Sequence, residues 1–317
     1  MTWAEATESY GTDKPDLRID WRIEDLSNVL GGRGFGIIDG AIAAGGRARG
    51  FVVPGGASLS RSRLDAINDT AREAGAKGAL WIKCTDEGFT GPAARAVDEE
   101  TGPVLRSDLG LTAGDLLVLV AGPDSESSPA LDVLRRQLGA ELGAVAQGER
   151  WVWVTDFPLF EADPETGAPA ASHHPFTMPV DVTPDALLAD PFSVRSRAYD
   201  LVLNGTELAS GSIRCHVPAL QRAILEVLGM TPEQVDARFG FLLEAFRYGV
   251  PPHGGFALGL DRLVALMVNV SSLRDVIAFP KTTAARGLME GAPSGVDDEL
   301  LADLGIRLAA KRAAADE

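Results

Sequence analysis

Apolar residues recur at helical spacing in two clear stretches of the chain. Leu64, Ile67, Ala71 and Ala74 predict a helix that Ser60 caps and Gly75 ends. Leu131, Leu134, Leu138 and Leu142 predict a second amphipathic helix. Met1 to Gly11 predicts a short helix stopped by its glycine, with the extended run Asp13-Lys14-Pro15-Asp16-Leu17-Arg18 after it. Short apolar runs between turn residues predict strands at Gly34 to Ala43, Arg47 to Val53, Ala79 to Lys83, Asp115 to Val120 and Trp151 to Val154. Tyr199 to Leu203 and Thr206 onward form a strand pair. Their connection, Asn204-Gly205, suits a type I′ turn because both residues tolerate positive φ. Helices follow at Pro218 to Leu228 and Thr231 to Tyr248, then a glycine-punctuated strand at Gly254 to Leu258 and a helix from Gly259 to Met267.

The pattern is α+β with antiparallel pairing in its later half. No internal repeat is present. From about Asp25 the sequence turns Gly-rich, and Pro123-Asp124-Ser125-Glu126-Ser127-Ser128-Pro129 reads as a polar, breaker-rich linker, so a domain boundary is expected there. A length of 317 residues fits about two domains. The longest clean apolar runs, Leu116 to Ala121 and Leu263 to Met267, fall far short of the roughly 18 residues of a membrane helix. Met1 is followed by no basic and apolar leader, so a cytoplasmic protein with no membrane contact is expected. Cys84 and Cys215 stand far apart and read as two ordinary thiols. A net charge of −16 argues against a free-standing nucleic-acid binder, which needs a basic stripe to displace counterions. Arg135 with Arg136 is either a local basic patch or a solvated helix face, and the second is the commoner arrangement.

Dinucleotide, P-loop and zinc-protease motifs are all absent, and Gly31 to Gly36 reads as a turn feeding a strand. The hairpin is more informative, because its two-residue turn sets Leu203 opposite Thr206 and Val202 opposite Glu207. Asp200 and Glu207 then share a face as diagonal neighbours about 7–8 Å apart. They form either a divalent-ion site or a solvated carboxylate pair. Arg214 joins that face only if one extra residue bulges, for which Gly211 is the natural place. His173-His174 lies in a turn-like stretch, either contacting an anionic substrate or merely exposed. Gly254 to Arg262 runs as a glycine-lined strand into a helix with an arginine in its first turn, an arrangement suited to a flat ligand and a phosphate.

Taken in order, several of these segments resemble the bacterial type of aspartyl-tRNA synthetase. They are Tyr10 to Arg18, Ser172 to Thr177, Ala198 to His216, Phe239 to Ala245, Tyr248 to Leu263 and Arg274 to Thr282. The resemblance runs to about Leu308. It implies a partial class II aminoacyl-tRNA synthetase catalytic domain, an antiparallel sheet with helices, carrying an inserted α+β domain. Residues 1–24 would be an N-terminal piece of the catalytic domain. Residues 25–123 would be the insertion shared with a tRNA-dependent amidotransferase subunit, and residues 124–317 the remainder of the catalytic domain.

By the same resemblance Gly254 to Arg262 is the third class II motif. Gly259, Leu260, Asp261 and Arg262 would bind ATP, with Arg262 on the γ-phosphate. Asp200 and Glu207 would bind ATP-associated magnesium, Arg214 the aspartate side chain, and His173 the amino acid. The implied reaction is ATP-dependent formation of aspartyl-adenylate and transfer to tRNA, with aspartate, ATP, Mg2+ and tRNA(Asp) as partners. The anticodon-binding domain and the first two class II motifs have no counterpart in this sequence. The expected consequences are exposed apolar surface and association, as a homo-oligomer or with the missing N-terminal half. The other reading is a truncated paralogue that binds aspartate, ATP or the tRNA machinery without catalysis. Departures from the family words are Thr206 for the usual tyrosine, Ala209-Ser210 for glycines and Cys215 for an aliphatic residue.

Overall fold

The computed structural model describes residues 1–309, which divide into two compact units, Met1–Leu258 and the described residues from Gly259 on. In the first unit, α1 (Trp3–Tyr10) begins with a capping box. Thr2 and Glu5 satisfy each other's backbone N–H groups, and Gly11 in the left-handed region ends the helix.

Two antiparallel sheets organise this unit. The first has the order β1 (Glu24–Asp25), β2 (Arg47–Val53), β5 (Leu116–Gly122), β3 (Leu80–Thr85), β4 (Gly88–Thr90). Its central strand is buried on both faces, which is why Leu116 to Val120 reads as an unbroken apolar run. One face packs Phe51, Val118 and Val120 against Leu64 and Ile67 of α3 (Arg61–Glu73) and Leu131, Leu134 and Leu138 of α4 (Asp124–Glu141). The other packs Ile82, Leu117 and Leu119 against Ile38 of α2 (Gly36–Ala43) and Leu105. Each such side chain taken fully out of water contributes roughly 1.5–3 kcal/mol before entropy is counted.

The second sheet has the order β11 (Gly254–Leu258), β10 (Thr206–Ile213), β9 (Ala198–Leu203), β6 (Trp151–Thr155). On one face Val154, Ala198 and Val202 pack on Ala6 of α1. On the other, Trp153 meets Tyr199 and Phe256 edge to face, and Trp151, Trp153 and Phe256 are exposed. A two-stranded ribbon, β7 (Phe160–Ala162) with β8 (Pro169–Ala171), leads into the histidine turn. Two further helices, α5 (Pro218–Val227) and α6 (Pro232–Phe246), pack behind it. The second unit opens with α7 (Leu260–Met267) and carries one buried position there, Ala265. No described helix is long and apolar enough to cross a membrane.

Three local expectations are corrected. Gly34 to Ala43 is not a strand but turns into α2, because Ile38 and Ile42 stand one helical turn apart and both pack on the sheet while Ile37 faces outward. The linker-like Pro123 to Pro129 is the first part of α4. Its polar residues are employed there: Asp124 accepts from Arg47, and Ser128 accepts from the buried Arg49. Arg135 is not solvated. It sits among Leu131, Leu134 and Leu138 on the core face, fully buried, and donates to the carbonyls of Asp16 and Ile19, whereas Arg136 stays at the surface on Asp132.

Candidate functional site

The hairpin turns as its two-residue connection predicts. Asn204 and Gly205 both have positive φ, and Val202 stands opposite Glu207. The register then shifts between Glu207 and Ala209, so that Ala209 faces Leu201 and Ser210 faces Asp200. The extra residue is therefore Leu208, not one near Gly211. Gly211 serves another purpose, since a Cβ there would come 2.3 Å from the Gly255 carbonyl oxygen and 2.7 Å from the Tyr199 ring. Because the bulge reverses the alternation, Glu207, Ser210, Ser212 and Arg214 all fall on the face of Asp200.

Asp200 is 2% exposed, which removes the solvated-pair reading for it, and its Oδ1 has no hydrogen-bond partner. Burial pushes its carboxyl above the ordinary range. The Ser210 hydrogen bond opposes this, and the charges of Glu207 and Asp13 add to it. Glu207 accepts a salt bridge from Lys14, whose Nζ lies 3.1 Å from Oε2. Burial lowers the affinity of that amine for its proton, but Asp13, Glu207 and Asp200 outweigh it and hold Lys14 more firmly charged than usual.

A divalent cation fits this pair. Two carboxylates on one face, one with an orphaned oxygen and the other paired with Lys14, form a hard-oxygen donor set. Among the described residues no group of three or more metal-type side chains gathers anywhere, so the remaining ligands would have to come from a bound phosphate or water.

At the other end of the face, the turn after β8 runs beside the end of β10, with Thr177 bridged to Arg214. Gln221 of α5 fixes this turn by donating to the Pro175 carbonyl at 2.7 Å. His174 is thereby held on Arg214, whose Nη1 lies 3.0 Å from Nδ1 and also meets Nε2. Phe176 N–H donates to the same Nδ1, and burial together with the Arg214 charge lowers the imidazole pKa. His173 stacks edge-on against Phe157 instead. His173, His174, Ser212, Arg214, Gly254 and Gly255 line part of one cavity of about 460 Å³.

Gly259, Leu260, Asp261 and Arg262 belong to the second unit. Gly259 precedes α7 as its cap, and Arg262 lies in the first turn, where the helix dipole favours a bound anion. Of the histidine pair that the sequence singles out, His174 is the one on Arg214, while Lys14 and Ser210 are not marked by the sequence. Lys14 stands in the charged run after Gly11 and is joined to β10 only by the fold. Ser210 owes its place opposite Asp200 to the bulge.

A family model described as tRNA synthetases class II (D, K and N) matches residues 1–283. The aspartate–tRNA ligase of Macrococcus caseolyticus (strain JCSC5402) is 44% identical over 310 residues, covering 97% of this chain and 52% of the relative. The aspartate–tRNA(Asp/Asn) ligase of Bacillus cereus (strain AH187) is 44% identical over 313 residues, covering 98% and 53%. The chain thus spans about half the length of the curated relatives it matches. Among solved structures, the aspartyl tRNA synthetase from Entamoeba histolytica matches with 25% identity and a TM-score of 0.34, over 49% of this chain and 26% of that one.

Proposed function

Because the chain belongs to the class II tRNA synthetases (D, K and N), we propose that it carries the aspartate-binding and phosphate-binding half of an aspartate–tRNA ligase. The observation that carries the reading is the bulge at Leu208, which aligns Asp200, Glu207 and Arg214 along one sheet face. Relatives named aspartate–tRNA ligase, 44% identical over nearly the whole chain, support the substrate. Residues 25–123, which hold the five-stranded sheet, are read as the inserted domain, and the segments on either side as parts of the catalytic domain.

In the proposed reaction an oxygen of the aspartate α-carboxylate attacks the α-phosphorus of ATP. The bond to the bridging oxygen breaks and pyrophosphate leaves. A ribose hydroxyl of tRNA then attacks the adenylate carbonyl, and AMP leaves. Arg214 holds the side-chain carboxylate, where a guanidinium fork sets geometry as well as affinity, and Lys14 adds a second cation to the same face. His173 contacts the amino acid. Gly259, Leu260, Asp261 and Arg262 bind the nucleotide, with the Arg262 guanidinium on its terminal phosphate. Asp200 and Glu207 would hold the magnesium ion that accompanies ATP. Bound there, that ion supplies positive charge to the phosphates. No protein nucleophile is required, so rate comes from positioning and charge.

The chain spans about half the length of the curated relatives it matches, so the reading is tested with the other half present. The test is calorimetric titration of the chain assembled with the complementary half of a relative. Aspartate binds, and asparagine binds at least about 100-fold more weakly, because an amide gives the Arg214 guanidinium no carboxylate to pair with. Equal affinity for the two amino acids, or none for either, sinks the reading.

A further inference from the structure

One face of α4 grips the segment that carries Lys14. Ser128, Arg135 and Gly139, spaced by seven and four residues, lie on that face. At Ser128 the contact is so close that a Cβ on Gly11 would stand 2.4 Å from the Ser128 carbonyl oxygen. At Gly139 an added Cβ would stand 2.7 Å from Ile19. Between them Arg135, with no exposed surface, donates from Nη1 to the carbonyls of Asp16 (3.2 Å) and Ile19 (2.8 Å), and its guanidinium lies 5.0 Å over the Tyr10 ring.

Tyr10 and Asp16 are the two ends of the loop whose middle residue of interest is Lys14. The Asp16 end also lies close against the hairpin, since a Cβ added to Gly205 would stand 3.2 Å from the Asp16 Cβ. A bidentate pair from Arg18 fixes the Asp16 carboxylate. The buried arginine is therefore the common anchor of both ends of a loop that delivers an ammonium to Glu207.

We propose that Arg135 is a positioning residue for the site: by holding Tyr10 and Asp16 it fixes Lys14 on Glu207, and through Lys14 it sets affinity for the aspartate carboxylate. The last step rests on the function proposed above; the first does not. Arg135 touches no substrate in this scheme. Its guanidinium is needed because a single buried group must satisfy two carbonyls and stack on a ring, which a lysine ammonium matches only in part.

The test reads Lys14 without any ligand. The purified chain is labelled briefly with an amine-acetylating reagent in magnesium-free buffer, and each lysine is followed by peptide mass spectrometry. In Arg135→Met, Lys14 reacts about three- to fivefold faster, the size expected for losing a partly exposed ion pair. Lys77 and Lys83 keep their wild-type rates, and Arg135→Lys restores part of the protection. The double variant Arg135→Met with Glu207→Gln reacts no faster than Glu207→Gln alone. Should Arg135→Met fail to fold, Tyr10→Leu removes the stacked ring and gives the same selective rise at smaller size. An unchanged Lys14, or an equal rise at every lysine, overturns the proposal. In the second arm aspartate affinity, titrated on the assembled halves, falls in Arg135→Met while Mg-ATP affinity holds. Absence of aspartate binding in the wild type would refute the functional reading and leave the labelling result to decide the first step.

Discussion

Lys14 Nζ lies 3.1 Å from Glu207 Oε2, joining the loop after α1 to the second residue of β10. That contact places a cation beside two carboxylates on the sheet face that Arg214 shares. The Lys14 side chain is 43% exposed, and such pairs add at most about 1 kcal/mol to folding. Lys14→Met is expected to leave the melting temperature within a degree or two and to weaken aspartate by about tenfold or more. Calorimetry on the assembled protein and a thermal melt on the chain check the two halves of this statement.

Arg214→Lys keeps the charge and loses the fork. Aspartate affinity should fall by about 100-fold, the scale of one charge-assisted bond lost together with its geometry, with the fold intact by circular dichroism. Retained affinity would mean that Arg214 does not read the carboxylate.

Asp200 makes a pH prediction. Burial holds its folded carboxyl above the ordinary 3.8, so folding favours the protonated form. That stabilising contribution is fully present below the unfolded value and is lost as pH rises through the folded one. Asp200→Asn, which has no charge to bury, should therefore melt higher than wild type near pH 7, and the advantage should shrink towards about pH 4. A difference that does not change with pH would contradict the assignment.

The glycines of the β10 and β11 pair separate packing from binding. Gly211→Ala puts a methyl 2.3 Å from a backbone oxygen and is expected to cost about 1–3 kcal/mol in urea unfolding. Gly255→Ala meets nothing within 4 Å and should leave stability unchanged, although Gly255 lines the cavity beside Arg214.

Local chemistry made much of the fold legible. Ser60 caps α3, Gly11 ends α1, and Asn204-Gly205 turns the hairpin, because each rests on one residue's own backbone preference. Where tertiary partners decide, the sequence misled. Ser128 looks like part of a linker until Arg49 is seen buried against it, and Arg135 looks solvated until Asp16 and Ile19 are found beneath it. A bulge was needed for Arg214 to share the carboxylate face, and it exists; its position at Leu208 was hidden because the glycine that invites a bulge is consumed by the approach of β11. Asp200 and Glu207 could be aligned from strand register alone and Arg214 only by supposing a bulge, whereas Lys14 could not be placed at all, since no local rule links a loop near residue 14 to a hairpin near residue 207.

The measurement that bears most directly on the account is aspartate-dependent exchange of pyrophosphate into ATP by the chain together with a complementary synthetase half, with Arg262→Ala alongside. Exchange is expected to require aspartate and to fall by about 100-fold or more when the arginine is removed. An assembly that forms but shows no exchange, or exchange indifferent to Arg262, would contradict the proposed function.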